Sequence, residues 1–257
     1  MAVGSRLAYY RQSADAEYWD QVWQKQDTKQ LYENAQQGDL DYYEEIFLRH
    51  LPIEGRILEA GCGRGQIAIA LRARGYDVEG VDFGAKTVAE VKSRFPELPI
   101  RVGDVTNLDV PDGCYKGYIS LGVMEHLEQG PSPFLEEAYR ILSKDGIALI
   151  SVPYLNWLRR TKLRLGLFTG KNTARLPFYQ YAYSANEFNR LLQEAGFDPV
   201  AHYQYGGYKG IKDELTLLDQ LFNLPQIGWR LRKFLMNWRW ADRHMGHMMM
   251  YVCRKQV

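Results

Sequence analysis

From residue 55 to residue 153, short apolar runs alternate with stretches in which apolar residues recur at three- and four-residue intervals. The runs are RILEAG, DVEGVD, IRVGDV, YKGYISLGV and GIALISVPY, and between them lie GQIAIALRARG, AKTVAEVKSRF and PSPFLEEAYRILSKDG. A continuous apolar run suits a strand buried on both faces, whereas a 3.6-residue period suits a helix packed on one side. Their alternation predicts βαβ units and a parallel sheet with helices on both faces. SANEFNRLLQEAGF predicts a further helix, with Ser184 as N-cap, Glu187 completing a capping box and Gly196 as the stop. DPVAHYQYG and HMMMYVCRK follow as sixth and seventh strands. Residues 14–50 read as helical, with Tyr18 and Val22 on one face and Trp19 and Trp23 on the next. Two stretches, 154–183 and 207–245, break the alternation and read as insertions. The expected organisation is a helical N-terminal cap over 1–50 and one α/β domain over 51–257, which suits a chain of 257 residues.

The first strand runs directly into ILEAGCGRGQ, with glycines at 61, 63 and 65. A strand, a glycine-rich turn and a helix bring backbone N–H groups close to a ligand at the sheet edge. That alone fits a dinucleotide, another nucleoside cofactor or a tight turn. Asp82 ends the second strand in GVDFG, 21 residues past Gly61, where a carboxylate accepts from both hydroxyls of a ribose. Asp104, after the third strand, can accept from an exocyclic amine while the Val105 N–H meets a ring nitrogen. Glu59 sits in the first turn, where a carboxylate repels a pyrophosphate and suits an ammonium or sulfonium. A ribose, an adenine amine, a cation and no phosphate together describe S-adenosylmethionine.

On EAGCGRG (59–65), VDFG (81–84), GDV (103–105) and SLGVMEHL (120–127), the chain resembles the class I S-adenosylmethionine-dependent methyltransferases, especially those acting on small molecules, quinones, sugars and lipids. Each motif is loose alone; four in order at these separations are specific. The resemblance implies a Rossmann-like seven-stranded, mostly parallel sheet with an antiparallel last strand. It also implies that Gly61, Gly63 and Gly65 pass along the methionine part of the cofactor. Glu59 and the Leu121 carbonyl would meet its amino group, Asp82 and the neighbouring Phe83 its ribose side, and Asp104 with Val105 its adenine.

His126, just after the fourth strand, is placed to act as a general base towards a hydroxyl, which favours O-methylation; an architectural role for the Glu-His pair is the competing reading. Glu125 is expected to orient the loop. His244 and His247 are three apart but Met-rich sequence surrounds them, and Cys62, Cys114 and Cys253 are scattered, so no metal site is expected.

A net charge of +1 gives no chain-wide attraction to nucleic acid. The charge is segregated, however. Residues 155–175 carry six Lys or Arg and no acid, and 226–243 carry five with one Asp, leaving −9 for the rest. In 226–243, Ile227, Leu231, Phe234, Leu235 and Trp238 make an apolar stripe with basic flanks, a pattern of interfacial helices and of plain lids. Both insertions leave carboxyl ends of strands, so they are expected to rim the pocket, joined by tyrosines between 178 and 208 and faced by Tyr9, Tyr10, Tyr18, Trp19 and Trp23. Such a rim suits a small or lipid-like acceptor of aromatic or anionic character, with peripheral membrane contact through 226–243. A cofactor-binding pseudoenzyme serving as a partner subunit is one rival. A nucleic-acid methyltransferase is another, disfavoured by the lack of an NPPY-like tetrapeptide and of an RNA-binding module. With no apolar run of membrane-spanning length and no h-region at the N-terminus, the expected location is cytoplasmic or peripheral to a membrane.

Overall fold

The computed structural model describes residues 2–3, 6–25, 27–168, 176–215, 224, 228–236 and 238–256. The chain begins with strands β1 (Ala2–Val3) and β2 (Arg6–Tyr10) and helices α1 (Ala16–Gln24), α2 (Lys29–Gln36) and α3 (Glu44–His50). The alternation then unfolds as β3 (Arg56–Ala60), α4 (Gln66–Ala73), β4 (Asp77–Asp82), α5 (Ala85–Arg94), β5 (Ile100–Val102), β6 (Tyr115–Leu121), α6 (Ser132–Ile141) and β7 (Leu142–Pro153). The first insertion holds α7 (Trp157–Arg164) and β8 (Phe178–Tyr183), followed by α8 (Ala185–Glu194) and β9 (Phe197–Tyr205). The second holds α9 (Gly207–Glu214), α10 (Gly228–Met236) and α11 (Arg239–Met245), and β10 (Met248–Lys255) follows.

Seven strands form one Rossmann-like sheet in the order β5-β4-β3-β6-β7-β10-β9. The first five pair in parallel, and β10 slots antiparallel between β7 and β9. The last strand is therefore antiparallel, as the resemblance implied. Because both faces are covered, successive residues of one strand feed different cores. Leu58, Tyr118, Ile150 and Tyr251 join α6 and α8 on one side. Ile57, Ile119, Leu149, Met250 and the buried residues of α2 to α5 fill the other. The N-cap of α8 is as expected: the Ser184 hydroxyl accepts from Glu187 N–H at 3.3 Å.

A three-stranded antiparallel sheet, β1-β2-β8, has no counterpart in the sequence pattern. Arg6 pairs with Tyr183 and Tyr10 with Phe178, so the N-terminal fifty residues are helical only from residue 16 onward. The pairing partners lie more than 160 residues apart, which no local periodicity registers. Of the basic stretches, 169–175 (with Lys171 and Arg175), 226–227 (with Ile227) and 237 lie outside the described residues.

Candidate active site

A cavity of about 650 Å³ opens at the carboxyl ends of β3, β4, β5 and β6. There β3 is flanked by β4 on one side and β6 on the other, the position where ligands enter open α/β sheets. Gly61, Asp82, Phe83, Asp104, Val105, Leu121 and His126 all line it. Four segments far apart in the chain thus meet because their strands end on one edge. Glu59, Gly63 and Gly65 stand behind that wall.

The glycines are required by backbone shape as much as by any ligand. Gly61, Gly63 and Gly65 have φ of 77°, 50° and 68°, a left-handed region that L side chains rarely adopt. A Cβ on Gly61 would collide with the Val123 side chain, and one on Gly63 would lie 3.0 Å from the Trp23 ring. Glu59 is buried, and its Oε2 accepts from Ala68 N–H in the first turn of α4 at 2.9 Å. Burial pushes its carboxyl up to about 8, against the pull of that N–H. It braces the loop from within and does not face the cavity.

Asp82 is buried and accepts from Gly63 N–H and Gly84 N–H, each at 2.8 Å. Desolvation raises its pKa, and the two N–H groups oppose the rise. Asp82 also lines the cavity, and a carboxylate can accept more than these two bonds. Asp104 is exposed at the mouth; its Oδ1 accepts from Thr106 N–H at 2.8 Å and from the Thr106 hydroxyl at 2.7 Å, which aims the side chain.

His126 ends a 3₁₀ turn (Met124–His126) after β6. Its Nδ1 lies 2.8 Å from the Tyr179 carbonyl. A carbonyl only accepts, so Nδ1 carries the proton and Nε2 presents a lone pair. Trp19 and Tyr179 meet the ring edge-on, with centroids 5.2 and 5.1 Å away. Burial lowers the imidazole pKa to about 4, so the ring is neutral around pH 7. Glu125 is buried beside it, 3.8 Å from Nε2, and burial pushes that carboxyl up to about 8.

The far wall comes from α1 and its lead-in. Ala14, Trp19 and Trp23 cover the cavity, the two indoles stacked with centroids 5.7 Å apart, while Leu127, Pro133 and Phe134 face them. Tyr9, Tyr10 and Tyr18 are not part of the lining. What fixes α1 in place is Asp20, a residue the sequence reading passed over. Its buried Oδ1 accepts from Thr87 N–H at 2.9 Å and from the Thr87 hydroxyl at 2.6 Å, at the N-terminus of α5. A lone acid between Trp19 and Trp23 on an otherwise aromatic face was the available signal.

One expectation finds no support among the described residues. None of the described residues of either insertion lines the cavity. The first insertion leaves β7 and returns as β8 against the Met124–His126 turn, whereas the second leaves β9 at the sheet edge and its last helix packs on that strand. Tyr179 reaches the site only through its carbonyl and its ring edge, whereas Tyr181 and Tyr183 are core residues and Tyr205 lies against Tyr42 and Tyr43. Nor are all the basic residues outward: Arg159 is buried on Glu214 at 2.9 Å, with His247 Nδ1 3.0 Å from its guanidinium. Among the described residues, no group of three His, Cys, Asp or Glu is placed to hold a metal ion.

Comparison with known proteins gives the same picture. A family profile described as a methyltransferase domain matches residues 30–202. The chain is 33% identical over 142 residues to the "Probable S-adenosylmethionine-dependent methyltransferase" of Mycolicibacterium smegmatis, covering 55% of this chain and 51% of that one. It is 30% identical over 172 residues to a similarly named Mycobacterium tuberculosis protein, covering 63% and 59%. A ubiquinone biosynthesis O-methyltransferase of Azorhizobium caulinodans is 27% identical over 125 residues, covering 44% and 49%. The matches thus span about half the length of these curated relatives. Among solved structures, the methyltransferase in complex with the Haloferax volcanii Trm112 methyltransferase activator superposes with a TM-score of 0.61 at 17% identity, covering 94% of this chain and 96% of that one. At that identity the likeness is one of fold.

Proposed function

Because the chain belongs to the methyltransferase-domain family, we propose that it transfers the methyl group of S-adenosylmethionine to an oxygen of a small or lipid-like aromatic acceptor. The observation that carries the reading is the meeting, in one cavity, of two carboxylates suited to a nucleoside and a neutral imidazole with a free Nε2 lone pair. The residues fit the cofactor. Asp82 offers acceptors to ribose hydroxyls, Asp104 and the Val105 N–H suit an adenine edge, and Gly61 lets the backbone come close because no Cβ fits there. When bound, the cofactor supplies an electrophilic methyl group on a sulfonium.

The protein's own part is alignment, dryness and proton removal. Trp19 and Trp23 close the cavity against water, and with Phe134 they offer flat apolar walls to an aromatic ring. His126 Nε2 accepts the hydroxyl proton of the acceptor, while the Nδ1 bond to the Tyr179 carbonyl holds tautomer and orientation. The aromatic side of the expected acceptor has the stronger support, since no basic side chain of the described insertion residues lines the cavity. The named activity of the Azorhizobium relative agrees with oxygen as the nucleophile. The reading is tested by following release of the demethylated cofactor across catechols, phenols with isoprenoid tails, primary amines and glycans. Turnover with phenols is expected; turnover confined to amines would refute O-methylation.

A further inference from the structure

A buried carboxyl oxygen with nothing to bond calls for a physical reason, and the fold gives none for Glu125. The residue is 2% exposed, and its Oε2 has no hydrogen-bond partner among the described residues. Among those residues the one basic group within ion-pair distance of the carboxyl is His126, whose ring is neutral. Nor does the acid bond that imidazole, because 3.8 Å between Oε1 and Nε2 exceeds hydrogen-bond length. The carboxyl lies behind Gly122, which lines the cavity with a φ of 70°. A Cβ on Gly122 would meet Glu125 Oε1 at 3.4 Å and Met248 Cε at 3.5 Å. The missing side chain leaves a notch in the cavity wall, and the carboxyl stands at its end. Burial pushes the Glu125 pKa up to about 8, so around pH 7 it is a neutral acid with one O–H to donate and oxygens to accept.

We propose that Glu125 sets acceptor specificity: through the notch at Gly122 its carboxyl hydrogen-bonds a second oxygen, on the ring carbon next to the hydroxyl that His126 deprotonates. The preferred acceptor is then an ortho-diphenol. The inference rests on the reading of this cavity as a phenol O-methylation site and carries it from phenols in general to one arrangement of oxygens. Spacing supports it. A hydroxyl donating to His126 Nε2 stands about 2.8 Å from that nitrogen, and Glu125 Oε1 lies 3.8 Å from the same nitrogen. Oxygens on adjacent ring carbons are close enough together to serve both groups at once, whereas oxygens meta or para to each other are not. Bonding capacity supports it too. A neutral acid is satisfied by a partner that both donates and accepts; a hydroxyl does so, and an ammonium only donates. Buried acids that serve the fold alone are bonded within it: Glu59 takes the Ala68 N–H, and Glu137 takes the Leu108 N–H and Arg140.

Titration calorimetry with the demethylated cofactor present compares catechol with resorcinol, hydroquinone and phenol as ligands. Wild-type protein is expected to bind catechol about tenfold more tightly than the other three, the gain of one bond to a buried acid. Glu125→Gln, whose amide also donates and accepts, should keep a preference for catechol, and Glu125→Met should lose it. Difference infrared spectra supply a readout that a structural role would not move. The protonated-carboxyl C=O band of Glu125 should shift when catechol binds but not when phenol does, and should be missing from Glu125→Gln. That comparison suffices if Glu125→Met does not fold. Equal affinities for catechol and resorcinol, a preference that survives in folded Glu125→Met, or a carboxyl band indifferent to catechol would each overturn the proposal. None of these measurements needs methyl transfer. Turnover confined to amines would refute O-methylation while the affinities still judge Glu125, and phenol turnover without any ortho preference would refute the role of Glu125 alone.

Discussion

His126 illustrates how one hydrogen bond assigns a residue's chemistry. Donation from Nδ1 to the Tyr179 carbonyl leaves Nε2 as an acceptor, and burial lowers the pKa to about 4, so the ring is unprotonated through the neutral range. His126→Ala is expected to lower turnover by a factor of roughly 100 while sparing cofactor affinity. The wild-type pH–rate profile should stay level through neutrality and fall only as pH drops towards 4; stopped-time assays across that range check it. A profile with a limb near 6.5 would mean an imidazole in water, which this geometry does not provide. Asp104 offers a cleaner probe of the cofactor side than Asp82, because Asp82 also holds Gly63 and Gly84 N–H groups. Asp104 is exposed and, among the described residues, its carboxylate bonds only Thr106, so Asp104→Ala should leave the melting temperature nearly unchanged. If it binds the adenine amine, calorimetry with the demethylated cofactor should show a loss of about 1–3 kcal/mol.

At the scale of elements, two helices depend on single buried side chains. Asp20 ties α1 to the first turn of α5 through Thr87. Asp20→Ala leaves the Thr87 N–H without its cap, at a cost of about 1–2 kcal/mol. Hydrogen exchange should then rise across residues 16–24, and cofactor should dissociate faster, because α1 carries the two indoles that cover the cavity. Arg159 plays the corresponding part in the insertions. It joins α7 to Glu214 of α9 and, through the Tyr154 and His247 carbonyls, to the end of β7 and the start of β10. Arg159→Met would strand Glu214 in a buried site, left with Lys162 alone at 2.8 Å, and should destabilise by about 3–5 kcal/mol in denaturant titration. That residue was counted in sequence among the outward cations; the carboxylate that claims it lies 55 positions away, beyond the reach of any local pattern.

For the whole molecule, buried acids shape the dependence of stability on pH. Glu59 and Glu125 are both pushed up to about 8 by burial, against an ordinary value near 4.5. Between those values the folded state holds protons that the unfolded chain has released, so stability falls as pH rises through that window. Glu125→Gln keeps the shape of the side chain and removes the titration. It should therefore flatten the loss between about pH 5 and 8, as read from urea midpoints at matched ionic strength.

The order of strands and helices, the glycine turn and the acids that end β4 and follow β5 were all legible in the residues. They depend on short-range rules: strand and helix periods, capping, and glycine's access to positive φ. Local sequence also marked Trp19 and Trp23 as an aromatic face. Three things were decided only by the folded chain. Strand β8 pairs with β2 because the two meet across the sheet's edge, which the run FYQYAY by itself does not disclose. Glu59 faces the N-terminus of α4 because a side chain on a buried strand must find a partner, and Ala68 N–H is the nearest unsatisfied donor. The second insertion packs at the β9 edge of the sheet because it leaves there and β10 lies between β7 and β9, and strand order is set by packing of both faces together. Sequence determines what each segment can form, and only tertiary contact decides which segments share a site.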